Sequence, residues 1–411
     1  MIASVDAARL TAELETLASF SESPAPAVTR IVFGEMDLRA RAYLKTLFAE
    51  ASLVVREDAV GNTFARWPGR QPALPPVATG SHCDAIPNAG RFDGTVGVLG
   101  GLEAIRALRR ARFEPARSID LVLFTSEEPT RFGIGCLGSR LLSGSLDASA
   151  GARLMSDGQS LDAVRTAAGF SGPLADVSLR PGAYAAFVEL HIEQGPLLER
   201  DEIDIGVVTA IAAPASFRIF VEGEGGHAGA VLMPERRDAF LAAAEIALAI
   251  EAAARATRAV DTVATTGVCE VFPGAINSVP SRARLDVDVR DIDLARRDAV
   301  LAAIARTCDE VAGRRGVTVR LEPINADPPA SCAQTIVGAI TAACEARGLR
   351  HRPMISRAYH DSLFMSRIAP TGMIFIPCRG GLSHRPEEYA TPEAIARGTE
   401  VLAETLAALA S

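Results

Sequence analysis

The first half of the chain alternates short apolar runs with longer segments in which apolar and charged residues mix. Residues 1–20 have the mixed pattern, which predicts an amphipathic helix. The short runs end in polar clusters and predict strands at residues 76–79, 119–124, 184–190 and 371–376. This alternation is typical of an α/β fold in which helices cover a mainly parallel sheet.

The pattern changes between residues 213 and 325. The predicted order there is strand 216–221, helix 236–254, strands 262–271 and 282–290, helix 294–312 and strand 317–321. This β-α-β-β-α-β order is that of a ferredoxin-like domain. Pro214, Pro328 and Pro329 mark its ends, because proline interrupts regular elements. We therefore predict a discontinuous catalytic domain, residues 1–212 and 326–411, with an inserted domain at 213–325.

The composition and net charge of the chain limit the kinds of molecule that it is expected to bind. The chain has 411 residues, enough for two or three domains, and a net charge of −8 at pH 7. Without a basic tract we expect no binding to nucleic acid. No apolar run approaches the roughly 18 residues of a membrane span, and the first twenty residues lack the pattern of a signal peptide. Seven scattered cysteines without a C-x-x-C pair suit a reducing compartment, so we expect a cytoplasmic protein with no membrane partner.

Polar clusters follow the four predicted strands. They read SHCD at 81–84, TSEE at 125–128, HIEQ at 191–194 and GLSH at 381–384. Because ligands bind beyond the carboxyl ends of strands in open α/β sheets, the four clusters predict one shared site. Three of the six histidines, His82, His191 and His384, lie in these clusters.

Imidazole and carboxylate side chains in these clusters indicate a site for two metal ions. A divalent ion lowers the pKa of a bound water to about 7, which makes hydrolysis near neutral pH feasible. Two ions need about five ligands, one of them a carboxylate that can bridge. The sequence offers His82, Asp93, Glu128, His191 and His384. These ligand types suit Zn, Mn, Fe, Co or Ni and do not select among them.

Glu127 and Glu128 are adjacent and follow a strand. Successive side chains of a strand point to opposite sides, so the two glutamates are expected to do different tasks. One binds metal, and the other acts as the general base toward the nucleophilic water. A solvated acidic turn is the alternative, and the position among the other polar clusters disfavours it.

The order of these motifs resembles the metallopeptidase-related amidase family that includes N-carbamoyl-amino-acid hydrolases, β-ureidopropionase, allantoate amidohydrolase and ureidoglycolate amidohydrolase. The motifs are HCD at 82–84, GRFDG at 90–94, EE at 127–128, HIEQGP at 191–196 and SH at 383–384. The resemblance implies that Asp93 bridges two ions, that Glu127 is the base and that Asp84 orients His82. It also implies manganese as the metal, with Zn²⁺, Ni²⁺ or Co²⁺ as alternatives.

The resemblance extends to the inserted domain. The run GGHAG at 225–229 is similar to a family motif whose histidine, His227 here, stabilises the oxyanion in the active site of the partner subunit. Asn277 and Arg290 match positions that bind the substrate carboxylate. Without the family, each is an ordinary loop or strand residue. The resemblance implies a homodimer that forms through this domain, which also acts as a lid.

Within the family, three segments resemble the ureidoglycolate-hydrolysing branch. They are GHAGAVLMP at 226–234, MISRAYHDS at 354–362 and SHRPEEY at 383–389. Tyr359 beside His360 is expected to shrink the pocket and to offer a hydroxyl, which favours a compact hydroxylated substrate. Tyr359 and His360 are therefore predicted to bind substrate, and the resemblance of the HIEQ motif adds Gln194 to this set.

The expected reaction is metal-dependent hydrolysis of the ureido C–N bond of ureidoglycolate to glyoxylate, ammonia and carbon dioxide. The alternatives are an N-carbamoyl-L-amino-acid hydrolase, a β-ureidopropionase or an allantoate amidohydrolase. A more remote alternative is a binding protein without activity, which would have lost a ligand or the base. All five proposed ligands and the proposed base are present in this sequence.

Overall fold

The computed structural model describes residues 4–411, so Met1 to Ala3 of the predicted first helix lie outside the described residues. The helices are α1 (Ala7–Ser19), α2 (Glu35–Glu50), α3 (Thr95–Arg110), α4 (Leu137–Leu142), α5 (Ala148–Ala152), α6 (Leu161–Ala167), α7 (Leu197–Arg200), α8 (Ala239–Ala256), α9 (Leu294–Arg315), α10 (Gln334–Ala346), α11 (Asp361–Met365) and α12 (Pro392–Ala410). None of the helices within residues 4–411 combines the length and apolar character that a membrane span requires.

The strands range from two to ten residues in length. They are β1 (Val28–Arg30), β2 (Val54–Glu57), β3 (Thr63–Trp67), β4 (Val77–His82), β5 (Ala85–Ala89), β6 (Ile119–Phe124), β7 (Met155–Ser156), β8 (Gln159–Ser160), β9 (Ala186–Ile192), β10 (Ile205–Ile211), β11 (Ala213–Glu222), β12 (Gly226–His227), β13 (Val263–Phe272), β14 (Ser278–Val279), β15 (Arg282–Asp291), β16 (Thr318–Ala326), β17 (Ala330–Ser331), β18 (His351–Ser356) and β19 (Thr371–Ile376). The predicted strands at 119–124 and 371–376 coincide with β6 and β19.

The central sheet has the strand order β17-β10-β19-β9-β4-β6-β3-β2, with β18 beside β10. The four inner strands β19, β9, β4 and β6 are parallel, and β10 and β3 flank them antiparallel. This confirms the predicted α/β fold. β4 and β9 run further than predicted, through His82 and His191, because parallel pairing with Phe124 and Phe375 continues across these polar residues.

Both faces of the central sheet are buried. Along β6, Leu121 and Leu123 pack into one hydrophobic cluster, while Val122 and Phe124 pack into another on the opposite face. A strand that is covered on both sides has no position that must be polar, which explains its uninterrupted apolar run. The sheet is therefore a rigid base for the residues that follow its strands.

The chain divides into two compact units, and the second comprises residues 210–330 with 357–359. Its antiparallel sheet has the order β13-β15-β11-β16, and α8 and α9 cover one face. The predicted β-α-β-β-α-β order is confirmed. The unit is a few residues longer than the predicted segment 213–325, and residues 357–359 join it because Arg357 pairs with Asp261 and Tyr359 donates to Asp327.

Candidate metal centre

The four polar clusters of the sequence lie at one edge of the first unit. His82 is the last residue of β4 and His191 the last but one of β9. Glu127 and Glu128 follow β6, and His384 follows β19. Since these strands are parallel neighbours in the sheet, their carboxyl ends meet at the same edge. The sheet order thus brings together residues that are up to 302 positions apart, from His82 to His384.

Asp93 stands at the middle of this edge, in the loop between β5 and α3. Its Oδ1 is 3.4 Å from Nε2 of His82 and 3.2 Å from Nε2 of His191. Its Oδ2 is 3.3 Å from Nε2 of His384, which is also 3.4 Å from Oε1 of Glu128. Two groups of ligand atoms therefore share Asp93, one group on each carboxylate oxygen.

The electrostatics of this cluster fit a site for cations. Burial raises the pKa of Glu128 to about 7, and the nearby charge of Asp93 adds to the effect. The hydrogen bond with Asp93 raises the pKa of His384 to about 9 although burial opposes it. Burial also works against ionisation of Asp93, yet hydrogen bonds from three imidazoles hold its pKa well below the usual range. The buried carboxylates thus hold positive charge around themselves, as expected of a site for divalent ions.

The two buried histidines are oriented by backbone carbonyls. Nδ1 of His82 is 3.0 Å from the carbonyl oxygen of Asp84, and Nδ1 of His191 is 2.9 Å from that of Ile192. A proton on each Nδ1 satisfies these bonds and places Nε2, the second ring nitrogen, toward Asp93. Nε2 of His191 also accepts from the backbone N–H of Gly94 at 3.2 Å. The backbone therefore selects the tautomer that metal binding requires.

Asp84 positions the glutamate pair. Its Oδ1 accepts from the backbone N–H of Glu127 at 3.3 Å and its Oδ2 accepts from that of Glu128 at 3.0 Å. The same carboxylate lies 3.7 Å from Nδ1 of His82. Asp84 was predicted to act in catalysis by orienting His82. In the structure it contacts His82 and the backbone of Glu127 and Glu128, so it is a positioning residue for all three.

The two glutamates reach different partners. Oε2 of Glu127 is 3.7 Å from Nε2 of His82, whereas Glu128 faces His384. The other oxygen of Glu127, Oε1, accepts from Sγ of Cys136 at 3.4 Å. Burial raises the pKa of Glu127 well above its usual range, although the charge of His82 opposes the shift. A carboxyl group of this kind can take up and hold a proton, which is what a general base must do.

Three residues of the edge have left-handed backbone conformations. They are Ser126, Gln194 and His384, with φ angles of 56°, 55° and 58°. Such a conformation costs a non-glycine residue about 1–3 kcal/mol, so surrounding contacts must stabilise it. Strain of this kind concentrates at functional sites.

Of the residues predicted to bind substrate, Gln194 and His360 lie in the first unit. Nε2 of Gln194 donates to Oδ2 of Asp93 at 2.6 Å. The ring of His360 is buried and packs edge-on against His191, with 4.6 Å between ring centroids. Both residues therefore contact the ligands of the candidate centre directly.

The remaining predicted residues belong to the second unit. His227 is exposed, and its Nδ1 accepts from the N–H of Gly229 at 3.1 Å. Asn277 lies beside it, because its carbonyl oxygen accepts from Ala228. Nε of Arg290 donates to Asp288 at 2.7 Å, so a substrate carboxylate would compete with an internal one for this guanidinium.

Tyr359 also differs from the expectation in one respect. Its hydroxyl, which was predicted as a donor for substrate, donates to Asp327 instead. The interaction follows from the placement of residues 357–359 in the second unit, where Asp327 also lies. The hydroxyl proton of Tyr359 is therefore already bonded within this unit.

Sequence reasoning missed several residues that surround the ligands. Glu189 is fully buried and accepts from Ser81 and Ser362, and it forms a cluster with His191 and His360. It stands two positions before His191 on the same strand, and residues two apart share a face, so the strand period could have indicated it. Ser383 and Glu388 contact the loop of Asp93, which no local pattern indicates.

Gly94 provides a test of how closely this centre is packed. Its φ is +64°, and a Cβ added there would lie 2.4 Å from Nε2 of His82. Gly348 has the same φ of +64° with nothing within 4 Å of such a Cβ. Both alanine variants have a backbone cost of roughly 1–2 kcal/mol, but only Gly94→Ala displaces a ligand. We expect Gly94→Ala to lose metal after dialysis and Gly348→Ala to retain it; equal retention at equal melting temperatures would contradict the assignment of His82.

Comparison with known proteins identifies the family. The model of peptidase family M20/M25/M40 matches residues 78–408, which include every ligand of the candidate centre. The chain belongs to family M20. Its cluster of His, Asp and Glu side chains is the candidate site for the metal of an M20 metallohydrolase. The resemblance inferred from the motifs is confirmed.

Within family M20, the ureidoglycolate hydrolase of Arabidopsis thaliana is 54% identical over 414 residues, which cover 99% of this chain and 87% of that protein. The N-carbamoyl-L-amino acid amidohydrolase of Geobacillus stearothermophilus is 37% identical over 403 residues and 98% of both chains. A crystal structure of AtUAH in complex with (S)-hydroxyglycine is 51% identical, with a TM-score of 0.90 over 100% of this chain and 99% of that chain. A second structure of AtUAH contains glyoxylate.

Proposed function

We propose that this M20 hydrolase cleaves the ureido group of ureidoglycolate to give hydroxyglycine, ammonia and carbon dioxide, and that hydroxyglycine then loses a second ammonia to yield glyoxylate. The observation that carries the proposal is the position of Asp93, whose two oxygens face two separate groups of ligands beside Glu127. Divalent ions held by His82, Asp93, Glu128, His191 and His384 would polarise the ureido carbonyl and make water a better nucleophile. The choice of substrate is supported by the 54% identical ureidoglycolate hydrolase.

Glu127 moves the proton in this reaction. Its Oε2 faces the centre and accepts a proton from the attacking water, while Oε1 stays bonded to the thiol of Cys136. The raised pKa of the buried carboxyl allows Glu127 to hold that proton until the C–N bond breaks. Glu127 then delivers it to the departing nitrogen, so one residue acts first as base and then as acid.

The second unit carries groups whose chemistry suits a ureido carboxylate. His227 is exposed and has a hydrogen-bonded Nδ1, which leaves Nε2 to donate to a developing oxyanion in the active site of the partner subunit. Arg290 has a planar guanidinium group that can donate two parallel hydrogen bonds to a carboxylate. Asn277 lies beside the loop of His227. Binding at Arg290 requires the substrate carboxylate to displace or share the bonds now made to Asp288.

We further propose a cytoplasmic homodimer that uses Mn²⁺. The edge strand β13 and the helix α8 expose apolar side chains that a partner would cover: Phe240, Leu241, Leu248, Val263, Val268 and Phe272. The seven cysteines are free, in keeping with a reducing compartment. Sedimentation should give a mass of twice 43.2 kDa, and a monomeric mass would refute the dimer. Manganese found in protein purified from the cytoplasm would support the metal and the compartment.

Ammonia release by the purified, Mn²⁺-reconstituted protein tests the substrate. Ureidoglycolate, allantoate, N-carbamoyl-β-alanine and N-carbamoyl-L-amino acids are compared side by side, with Glu127→Gln protein as the blank. We expect kcat/KM for ureidoglycolate to exceed the others by about tenfold or more, a ratio that enzymes reach between substrates differing by a few atoms. The expected direction rests on the 54% identical relative, which is a ureidoglycolate hydrolase. Preference for a carbamoyl amino acid would instead favour the activity of the 37% identical relative at the same centre.

A further inference from the structure

Glu388 lies behind the candidate centre, and the proposed reaction uses neither of its oxygens. The side chain is 3% exposed. Its Oε1 accepts from the backbone N–H of Phe92 at 2.8 Å and from that of Asp93 at 3.1 Å. Its carboxylate therefore binds the backbone of Asp93, although the two residues are 295 positions apart.

The second oxygen of Glu388 faces a hydroxyl that it shares with Asp93. Oγ of Ser383 is 2.8 Å from Oε2 of Glu388 and 2.9 Å from Oδ2 of Asp93. A serine hydroxyl has one proton, so it can donate to only one of these two carboxylates at a time. Oδ2 of Asp93 also accepts from Nε2 of Gln194 at 2.6 Å, so an ion bound there would leave no electron pair for the hydroxyl. The proton of Ser383 would then turn to Glu388.

Packing holds Glu388 in this place. A Cβ at Gly90 would lie 2.3 Å from three atoms of the Glu388 side chain, so the loop of Asp93 tolerates no side chain at this point. The next residue, Tyr389, packs its ring at 88° to that of Phe92 with 5.8 Å between centroids. The contacts of Gly90 with Glu388 and of Phe92 with Tyr389 thus pack the loop of Asp93 against the loop of Glu388.

We propose that Glu388 is a positioning residue that joins the loop of Asp93 to the loop of Ser383 and His384 and thereby sets the affinity for one of the two ions. That ion, called here the second ion, would be held by Oδ2 of Asp93 together with Glu128 and His384. The inference deepens the proposed function and rests on its two-ion centre. Glu388 has two roles in it: it holds the backbone of Asp93, and it withdraws the Ser383 proton from the oxygen that the second ion needs.

Glu388→Gln separates these two roles. The amide oxygen can still accept from Phe92 and Asp93, but the amide nitrogen is a donor and cannot accept the proton of Ser383. That proton is then directed to Oδ2 of Asp93, where it competes with the second ion. We expect equilibrium titration with Mn²⁺ to show second-ion affinity lowered by about 10- to 100-fold and first-ion affinity unchanged. The spin-coupled signal of a Mn²⁺ pair should return at high Mn²⁺ together with kcat.

A double variant and a neighbouring control make the result specific. In Glu388→Gln/Ser383→Ala the competing proton is gone, so second-ion affinity should recover to that of Ser383→Ala alone, which we expect to be only a few-fold below wild type. Glu387→Gln changes an exposed neighbour that pairs only with Arg385 among the described residues and should leave both affinities unchanged. If Glu388→Gln fails to fold, Ser383→Ala still tests the link between the loops.

The outcomes are distinguishable from failure of the proposed function. A wild-type protein that binds fewer than two ions would refute the two-ion centre itself. Two ions in wild type with equal affinities in Glu388→Gln would overturn the role of Glu388 and leave the proposed function standing. Equal loss of both ions in Glu388→Gln, or no recovery in the double variant, would also overturn it, since either result indicates general damage to the loops. Unchanged affinities in Ser383→Ala, where Glu388→Gln does not fold, would do the same.

Discussion

Glu127→Gln is expected to lower kcat for ureidoglycolate by about 10²- to 10⁴-fold and to leave both divalent ions bound. The amide keeps the size of the side chain and can still accept from Cys136, but it cannot take a proton at the position that faces His82. The ligand atoms around Asp93 belong to other residues, so their number does not change. Steady-state kinetics and metal content per chain measure the two effects separately.

Glu128→Gln is the matched control for this prediction, because it makes the same chemical change one residue further along. Glu128 faces His384 and not His82, so its loss should reduce binding of the second ion. The two variants should therefore differ in metal content, with Glu127→Gln fully loaded and Glu128→Gln not. Full activity in Glu127→Gln would exclude Glu127 as the base, and loss of metal there would make it a ligand.

Asp93→Ala is expected to remove both ions and to abolish activity. Each oxygen of Asp93 faces a different group of ligands, so its loss takes one donor from each ion at once. Activity should fall by about 10⁴-fold or more, because free water has a pKa of 15.7 and is a poor nucleophile at neutral pH. His384→Ala, in contrast, removes a donor from one group only and should retain the other ion.

Metal content by mass spectrometry, with thermal unfolding as a check on folding, measures this second prediction. Asp309→Ala serves as the control, because it removes an exposed aspartate from helix α9 of the second unit. If Asp93→Ala still binds two ions, Asp93 does not bridge them. If it binds one ion, Asp93 belongs to a single group and the two-ion centre needs another bridging residue.

Local patterns in the sequence predicted much of the fold and the candidate ligands. The predicted apolar runs coincide with β6 and β19. A strand that is buried on both faces needs apolar side chains at consecutive positions, and such a run is visible in the sequence. The ferredoxin-like order of the second unit was also predicted locally, from apolar residues that recur at the period of a strand or of a helix. His82, Glu128, His191 and His384 were predicted because polar residues directly after buried strands have few structural reasons to be there.

The contacts that arrange these residues could not be predicted in this way. Whether Glu127 or Glu128 faces His82 depends on Asp84, which holds both of their backbone N–H groups, and on the left-handed turn at Ser126. The hydroxyl of Tyr359 was predicted for substrate, but Asp327 in the same unit accepts it. Neither partner is close in sequence to the residue it affects, so no local period indicates it.

By itself, the sequence determined the α/β class, the inserted domain, the types of ligand and the family, because these follow from the order and chemistry of neighbouring residues. Only the tertiary structure decided that the strand order β19-β9-β4-β6 places four clusters side by side. It alone placed one oxygen of Asp93 toward His82 and His191 and the other toward His384, and it placed Glu388 behind them. Such contacts join residues hundreds of positions apart, and they form only when the sheet and its loops pack in three dimensions.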